Sequence, residues 1–339
     1  MSVGVGVIGA GLMGGTHVRT IAASVAGAEV VALSDAVAES AERLAGEAGV
    51  ETIHGDALDL IGDPRVDAVI VASPGQTHEA FVLACLEAGP KPVLCEKPLA
   101  TSVASAWRVV EAESALGRRF VQLGFMRRFD PGYADLKARL DAGEIGPPVM
   151  AHCAHRNATV PPVFDSEMII RDSVVHDVDT ARWLLGREVT RITVLRPRPT
   201  SRAAEGVQDP QFVLFETEGG VLVDVEAFVN AQYGYDIRCE VVGESGTLTL
   251  APPASVEVRH EARIAGGVAL GFQQRFASAY ALELQSWVAS VAAGREPAGA
   301  SVWDGYAAVA VCEAGVEALG GGAPVEVRLE ERPALYGAG

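Results

Sequence analysis

What this chain of 339 residues has little of narrows it before any motif is read. Basic residues are scarce: 27 Lys and Arg stand against 44 Asp and Glu, a formal net charge of -17. So acidic a surface repels phosphodiester backbones and anionic lipid headgroups, which argues against a nucleic-acid or membrane-surface partner. It does not oppose a phosphate held locally by backbone amides at a helix start. Cysteine is sparse as well. Cys85, Cys95, Cys153, Cys239 and Cys312 are scattered and odd in number, which argues against a disulfide framework and points to a reducing cytoplasm. Long apolar runs are missing. The first eighteen residues carry no formal charge, but they lack a basic start and hold six glycines, a poor composition for a helix. No other stretch stays apolar for the roughly 18 residues that a membrane span requires. Internal repeats and low-complexity linkers are also absent. What is present, 49% hydrophobic and 21% charged residues, suits soluble globular domains, and the length favours two of them.

The first third alternates short apolar strands, at 3–8, 30–33, 68–72, 93–95 and 120–123, with alanine-rich helices at 13–25, 36–48, 78–88 and 102–116. Near-continuous apolar strands separated by helices predict a parallel sheet covered on both faces, the doubly wound Rossmann class. After about residue 122 the rhythm changes. A helix at 132–140, a strand at 149–156 and a helix at 173–185 lead into strands at 191–195, 212–217, 220–229, 236–242, 247–250 and 255–260. Gly219-Gly220 and the Gly243–Gly246 stretch are hairpin signals. This half reads as α+β with a mostly antiparallel open sheet, closed by helices at 274–292 and 302–319. The expected division is a Rossmann domain at 1–122 and a substrate and oligomerisation domain at 123–339, with the last helices free to pack back on the first domain. An apolar face of that sheet, with Val221, Val223 and Val225 on one side, is expected to face outward and pair with another subunit.

Gly9-Ala10-Gly11-Leu12-Met13-Gly14 matches G-x-G-x-x-G between the first strand and first helix. The first glycine permits the tight turn, the second admits a pyrophosphate to the backbone, and the third lets helix pack on strand. Alone the match is weak, since glycine-rich turns arise by chance. Asp35, at the end of the second strand and 21 residues beyond Gly14, stands where a ribose-binding acid belongs. Together they point to dinucleotide binding. Asp35 repels a 2′-phosphate, and Ala36 and Val37 beside it cannot neutralise one, so NAD is expected over NADP. Ser73 and Pro74 follow the third of these strands at the same end, and His78 opens the next helix; the cofactor set is completed by Glu96 and Lys97.

Cys95-Glu96-Lys97-Pro98 ends the fourth strand, and Pro98 biases Lys97 toward extended geometry, aiming its ammonium toward a substrate oxygen. By itself a strand-end lysine is simply a surface lysine. Asp172 and His176 stand four apart, with Asp179 three further on, along one helix face. An imidazole beside a carboxylate makes a general base near neutral pH, although Asp-x-x-x-His as a bare pattern is more often an exposed pair. His152, Cys153 and His155 invite a metal reading, but strand alternation points His152 and Cys153 in opposite directions and no second ligand pair follows. No metal is expected.

With these motifs the chain resembles the glucose–fructose oxidoreductase/inositol dehydrogenase/MocA family, and within it the bacterial inositol 2-dehydrogenase branch. The resemblance is carried by the fingerprint, Cys95-Glu96-Lys97-Pro98-Leu99-Ala100 and the Asp172/His176 pair. It is extended by the stretches at 121–130 and 152–157, by Tyr233-Gly234-Tyr235-Asp236-Ile237 and by Trp303-Asp304-Gly305-Tyr306. It implies NAD-dependent oxidation of the axial hydroxyl of myo-inositol to scyllo-inosose. His176 would be the proton acceptor, with Asp172 and Lys97 completing the catalytic set. The same resemblance assigns Arg127, His155, Asn157, Asp179 and Tyr235 to the polyol and implies a homotetramer. The chain departs from the branch at Gly271-Phe272-Gln273-Gln274, where a tryptophan is expected, and at Pro161-Pro162 and Ser166-Glu167-Met168. Two other readings stand beside it: a sister enzyme for scyllo- or chiro-inositol, an inosose or a hexose, and a non-catalytic NAD-binding regulator.

Overall fold

The computed structural model describes residues 2–87, 89–251 and 257–337. The chain divides into two compact units. The first comprises Met1–Phe129, Ser278–Ala310 and Leu329–Gly339; the second comprises Asp130–Ala277 and Val311–Arg328.

In the first unit, β1 (Val3–Ile8), α1 (Leu12–Ser24), β2 (Ala28–Ser34), α2 (Ala38–Ala48), β3 (Ile53–His54), α3 (Ala57–Gly62), β4 (Ala68–Val71), α4 (His78–Glu87), β5 (Val93–Cys95), α5 (Val103–Ala115) and β6 (Val121–Leu123) follow in turn. The six strands lie parallel in the order β3-β2-β1-β4-β5-β6. Every residue of β1, β4, β5 and β6 is buried, because helices cover both sheet faces. This is the doubly wound sheet expected, with its order reversing between β1 and β4, where ligands bind at the strands' carboxyl ends. The pair β3 and α3 was not foreseen: a two-residue strand is too short to show a period. Asp56 nevertheless caps α3, its carboxylate accepting the Leu58 N–H at 2.8 Å. The expected helix at 78–88 ends at Glu87, its last position lying outside the described residues.

The second unit contains α6 (Pro131–Asp141), β7 (Pro148–Arg156), α7 (Ser166–Met168), a π-helical stretch (Ile169–Val174), α8 (Val175–Leu185), β8 (Val189–Leu195), β9 (Gln211–Thr217), β10 (Leu222–Phe228), β11 (Asp236–Gly243), β12 (Gly246–Thr249), β13 (Val258–His260), β14 (Arg263–Ala265) and α9 (Phe272–Arg275). α10 (Ala277–Ala292) lies in the first unit from Ser278 onward, α11 (Val302–Gly321) belongs to the first unit as far as Ala310, and β15 (Val325–Glu326) lies in the second. Seven strands form one sheet in the order β12-β11-β7-β10-β9-β8-β15, antiparallel except where β10 runs parallel to β7. The strand expected over 255–260 is found as β13, its first two positions lying outside the described residues. The helix expected to begin at Ser173 is entered earlier, through α7 and the π-helical stretch.

One expectation is reversed. Val221, Val223 and Val225 are buried, and the exposed or half-buried face of β10 carries Leu222, Asp224, Glu226 and Phe228. The alternation was right, but which face meets water is set by where the unit's helices pack, and the apolar set is the one that they cover. The outward face is apolar residues laced with ion pairs: Arg156 with Glu226 and Asp236, His152 with Asp224, and Arg191 with Glu216.

Candidate active site

The first unit builds a dinucleotide cradle from backbone. Gly9 adopts φ +100°, and a Cβ there would stand 2.5 Å from the Ala72 carbonyl oxygen, so only glycine fits. A Cβ on Gly14 would lie 1.8 Å from the Gly9 carbonyl, which is how closely α1 crosses the turn. Gly11 is different: its missing Cβ points into open space, and no side chain caps the start of α1 there. An open, uncapped helix N-terminus with its amides and dipole fits a pyrophosphate. Asp35 braces the loop, its two oxygens accepting the Ala10 and Val37 N–H groups at 2.6 and 2.7 Å. Each oxygen keeps acceptor capacity for a ribose hydroxyl.

The neighbouring loops are tied together beneath this cradle. Ser73 Oγ lies 2.7 Å from Thr77 Oγ1. The His78 ring is buried between two backbone carbonyls, Nδ1 facing Pro98 and Nε2 facing Ser73, both at 2.7 Å. Glu96, 6% exposed, accepts from His17 Nε2 at 2.7 Å and from the Lys97 N–H at 3.3 Å. Burial pushes the Glu96 carboxyl upward, but the His17 hydrogen bond and the charges of His17, Lys97 and His78 outweigh it and leave the group below its ordinary value. His78 and Glu96, expected as cofactor contacts, tie these loops together through these hydrogen bonds. His17 was missed: a lone histidine on an apolar helix face gives no signal until its carboxylate partner, 79 residues on, is brought beside it. Lys97 is half-buried at the end of β5, before a cis peptide to Pro98. Arg127 lies buried in the 3-10 turn Met126–Phe129 that follows β6.

The second unit gathers most of the polyol candidates. Strand alternation turns His155 inward at the end of β7, where its ring centroid lies 6.3 Å from that of His176 on α8 and 5.9 Å, edge-on, from Tyr235. Asp172 is half-buried in the π-helical stretch, and His176 and Asp179 are buried on α8. Asn157, just past β7, spends its backbone on Phe228 and Ala231, while its side-chain Oδ1 is buried with no hydrogen-bond donor among the described residues. A buried orphan acceptor is costly unless a ligand satisfies it. Phe272 and Phe276 stand 6.4 and 6.1 Å from Tyr235, so phenylalanine supplies the aromatic wall where the tryptophan was expected. Arg275, stacked 4.4 Å over Phe276, is ion-paired with Asp130 at 2.7 Å. The residue that sequence reasoning passed over is Asp177, whose carboxylate accepts from His155 Nδ1 at 2.8 Å. His152 and Cys153 do lie on opposite faces, exposed and buried.

Residues 3–125 match the family model described as "Oxidoreductase family, NAD-binding Rossmann fold", and residues 133–249 match "GFO/IDH/MocA C-terminal domain". The chain belongs to the GFO/IDH/MocA oxidoreductase family. Among its relatives, "Inositol 2-dehydrogenase 1" of Saccharopolyspora erythraea is 55% identical over 99% of this chain and 100% of the relative. "Inositol 2-dehydrogenase" of Mycolicibacterium smegmatis is 48% identical, over 98% and 99%. The solved myo-inositol dehydrogenase from Lactobacillus casei, in complex with NAD(H) and myo-inositol, superposes with a TM-score of 0.96 at 37% identity, covering 99% of this chain and all of that one. As a GFO/IDH/MocA oxidoreductase, the chain carries its NAD-binding Rossmann domain in the first unit. No helix among the described residues is long and apolar enough to cross a membrane.

Proposed function

We propose that this oxidoreductase is an NAD-dependent inositol 2-dehydrogenase that converts myo-inositol to scyllo-inosose. The observation that carries the reading is the cluster of His155, His176 and Tyr235, with the buried Asn157 amide oxygen two residues beyond His155 in sequence. A neutral ring of hydroxyls needs several donors and acceptors held at fixed angles rather than one charge clamp, and this cluster has that character. Gly9, Ala10, Gly11, Leu12 and Met13 would hold the dinucleotide through backbone, with Asp35 on a ribose and Ser73 and Pro74 near the nicotinamide. When bound, NAD supplies the hydride acceptor. In this reading His176 takes the proton of the reacting hydroxyl, Asp172 orients its imidazole, and Lys97 stabilises charge developing on the oxygen. Arg127, His155, Asn157, Asp179 and Tyr235 orient the remaining hydroxyls.

NADH formation across a panel of inositol isomers and hexoses tests the substrate. Turnover of scyllo-inositol or a hexose without myo-inositol would transfer the assignment to a sister activity. Substituting His176→Ala or Lys97→Ala is expected to lower kcat by about 10²–10⁴-fold with NAD binding retained. Unchanged turnover in both would remove the mechanism. We further infer a cytoplasmic homo-oligomer, a tetramer. Five buried free cysteines fit a reducing compartment, and the exposed Leu222, Met150 and Leu195 on the outward sheet face fit a subunit contact. A monomer mass by light scattering would refute the assembly.

A further inference from the structure

In a chain of net charge -17, the connection between β8 and β9 opens with three arginines and no carboxylate: Arg196, Arg198 and Arg202. All three are exposed, and their guanidinium groups make no hydrogen bond or ion pair to a described residue. Elsewhere in the second unit Arg156, Arg182, Arg191, Arg238 and Arg275 each hold a carboxylate. The same connection walls a cavity of about 480 Å³, to which Arg196, Thr200, Glu205 and Gln208 contribute, with Ser166 from α7 and Leu319 from α11. That volume falls within the roughly 300–1,000 Å³ of small-molecule sites. None of its lining residues belongs to the dinucleotide cradle or to the polyol cluster. A smaller cavity of about 230 Å³, lined by Arg202, shares Ala203, Ala204 and Val207 with the first.

The backbone adds to the positive character of this wall. The amides of Ala204, Glu205 and Gly206, all lining the cavity, donate to no described residue, and Gly206 stands at φ +81°. Consecutive amides left unclaimed on a concave loop favour an anion. The loop is tied down before any ligand arrives: the Thr200 N–H donates to the Asp209 carbonyl at 2.7 Å and the Gln208 N–H to Ser166 Oγ at 2.8 Å. Gln211 Nε2 donates to the Ser166 carbonyl at 2.7 Å. Such preorganisation lowers the entropic cost of binding. We propose that this loop and cavity form a second ligand site that takes a small molecule bearing a phosphate monoester. A phosphate monoester carries about two negative charges near pH 7 and matches the guanidinium fork. Arg196 and the free amides hold the phosphate, and Arg198 and Arg202 add attraction from the rim. Glu205 is the one carboxylate on the wall and opposes the anion. The site is independent of the polyol reading.

Glucose 6-phosphate serves as the probe, titrated by calorimetry at fixed ionic strength into the full chain holding NADH, myo-inositol and excess glucose. A Kd of about 1 mM or tighter is expected. Arg196→Gln should weaken it roughly tenfold, whereas Glu205→Gln should tighten it about threefold. Both side chains are exposed, so the fold survives either change, and the opposite signs separate a built site from general damage. Amide hydrogen exchange should slow at residues 203–208 when the probe is bound. Absence of binding, or binding that neither substitution alters, overturns the proposal. So does protection confined to other segments. Binding that NADH, myo-inositol or glucose abolishes would put the phosphate in the dinucleotide or polyol site, and also overturns it. If Arg196→Gln instead lowers the mass measured by light scattering, the arginines meet carboxylates of a second copy and the small-molecule site is refuted.

Discussion

The buried His17–Glu96 pair permits a stability argument in which one mutation should repair another. Glu96 is 6% exposed and His17 is 0% exposed, and their 2.7 Å contact joins α1 to the residue before Lys97. Replacing His17 by alanine leaves a carboxylate in a dry site without its imidazole. Leaving a buried carboxylate without its hydrogen-bond partner costs about 3–5 kcal/mol, most of it from the orphaned charge rather than the lost bond. Replacing Glu96 by glutamine removes the charge but keeps an oxygen for the His17 N–H, at about 1 kcal/mol. The double variant should therefore be more stable than His17→Ala alone by about 2 kcal/mol, although it carries one more substitution. Urea unfolding at neutral pH, compared at constant m, measures all four proteins. The pH dependence has a defined sign. The folded-state pKa of Glu96 lies below its ordinary value of 4.5, so its contribution is present above that value and lost as pH falls through the folded pKa. In His17→Ala, burial acts on the carboxyl with its chief partner gone, and the deficit relative to wild type should shrink on acidification. A double variant no more stable than His17→Ala, or a deficit that grows in acid, would refute the account.

Three further outcomes are expected. Asp35→Ala should weaken NAD about tenfold and narrow the ratio of NAD to NADP initial rates, because the carboxylate braces the Ala10 and Val37 amides and repels a 2′-phosphate; an unchanged ratio would contradict this. Gly14→Ala should abolish detectable dinucleotide binding by calorimetry, since its Cβ would collide with the Gly9 carbonyl at 1.8 Å. Burial chiefly raises the Glu113 carboxyl above its ordinary 4.5, against the Phe120 and Val121 amides and the Tyr336 hydroxyl. Its charge thus costs stability above the folded pKa, a cost relieved as pH falls, so Glu113→Gln should gain stability relative to wild type from acid to neutral pH in thermal melts.

The amino-acid order by itself determined the Rossmann half and the dinucleotide fingerprint. Fully buried parallel strands read as unbroken apolar runs, and the glycine turn with Asp35 has a spacing set by one βαβ unit, all local in sequence. It also determined the alternation of the second sheet, because period two is intrinsic to a strand. It could not say which face turns inward: Val221, Val223 and Val225 are apolar either way, and only the packing of the unit's helices buried them. Local order likewise missed β3, too short to show a pattern, and placed the helix of His176 without its π-helical entrance.

What only the tertiary structure decided is which polar groups meet. His17 and Glu96 are 79 residues apart, His155 and Asp177 22, and neither distance matches any secondary-structure period. Such pairs form because buried charges and ring nitrogens must find partners wherever the fold brings them. The same requirement gave His78 its two backbone carbonyls and Glu96 its imidazole. Local spacing named the chemistry-bearing residue types; long-range burial assigned their hydrogen bonds.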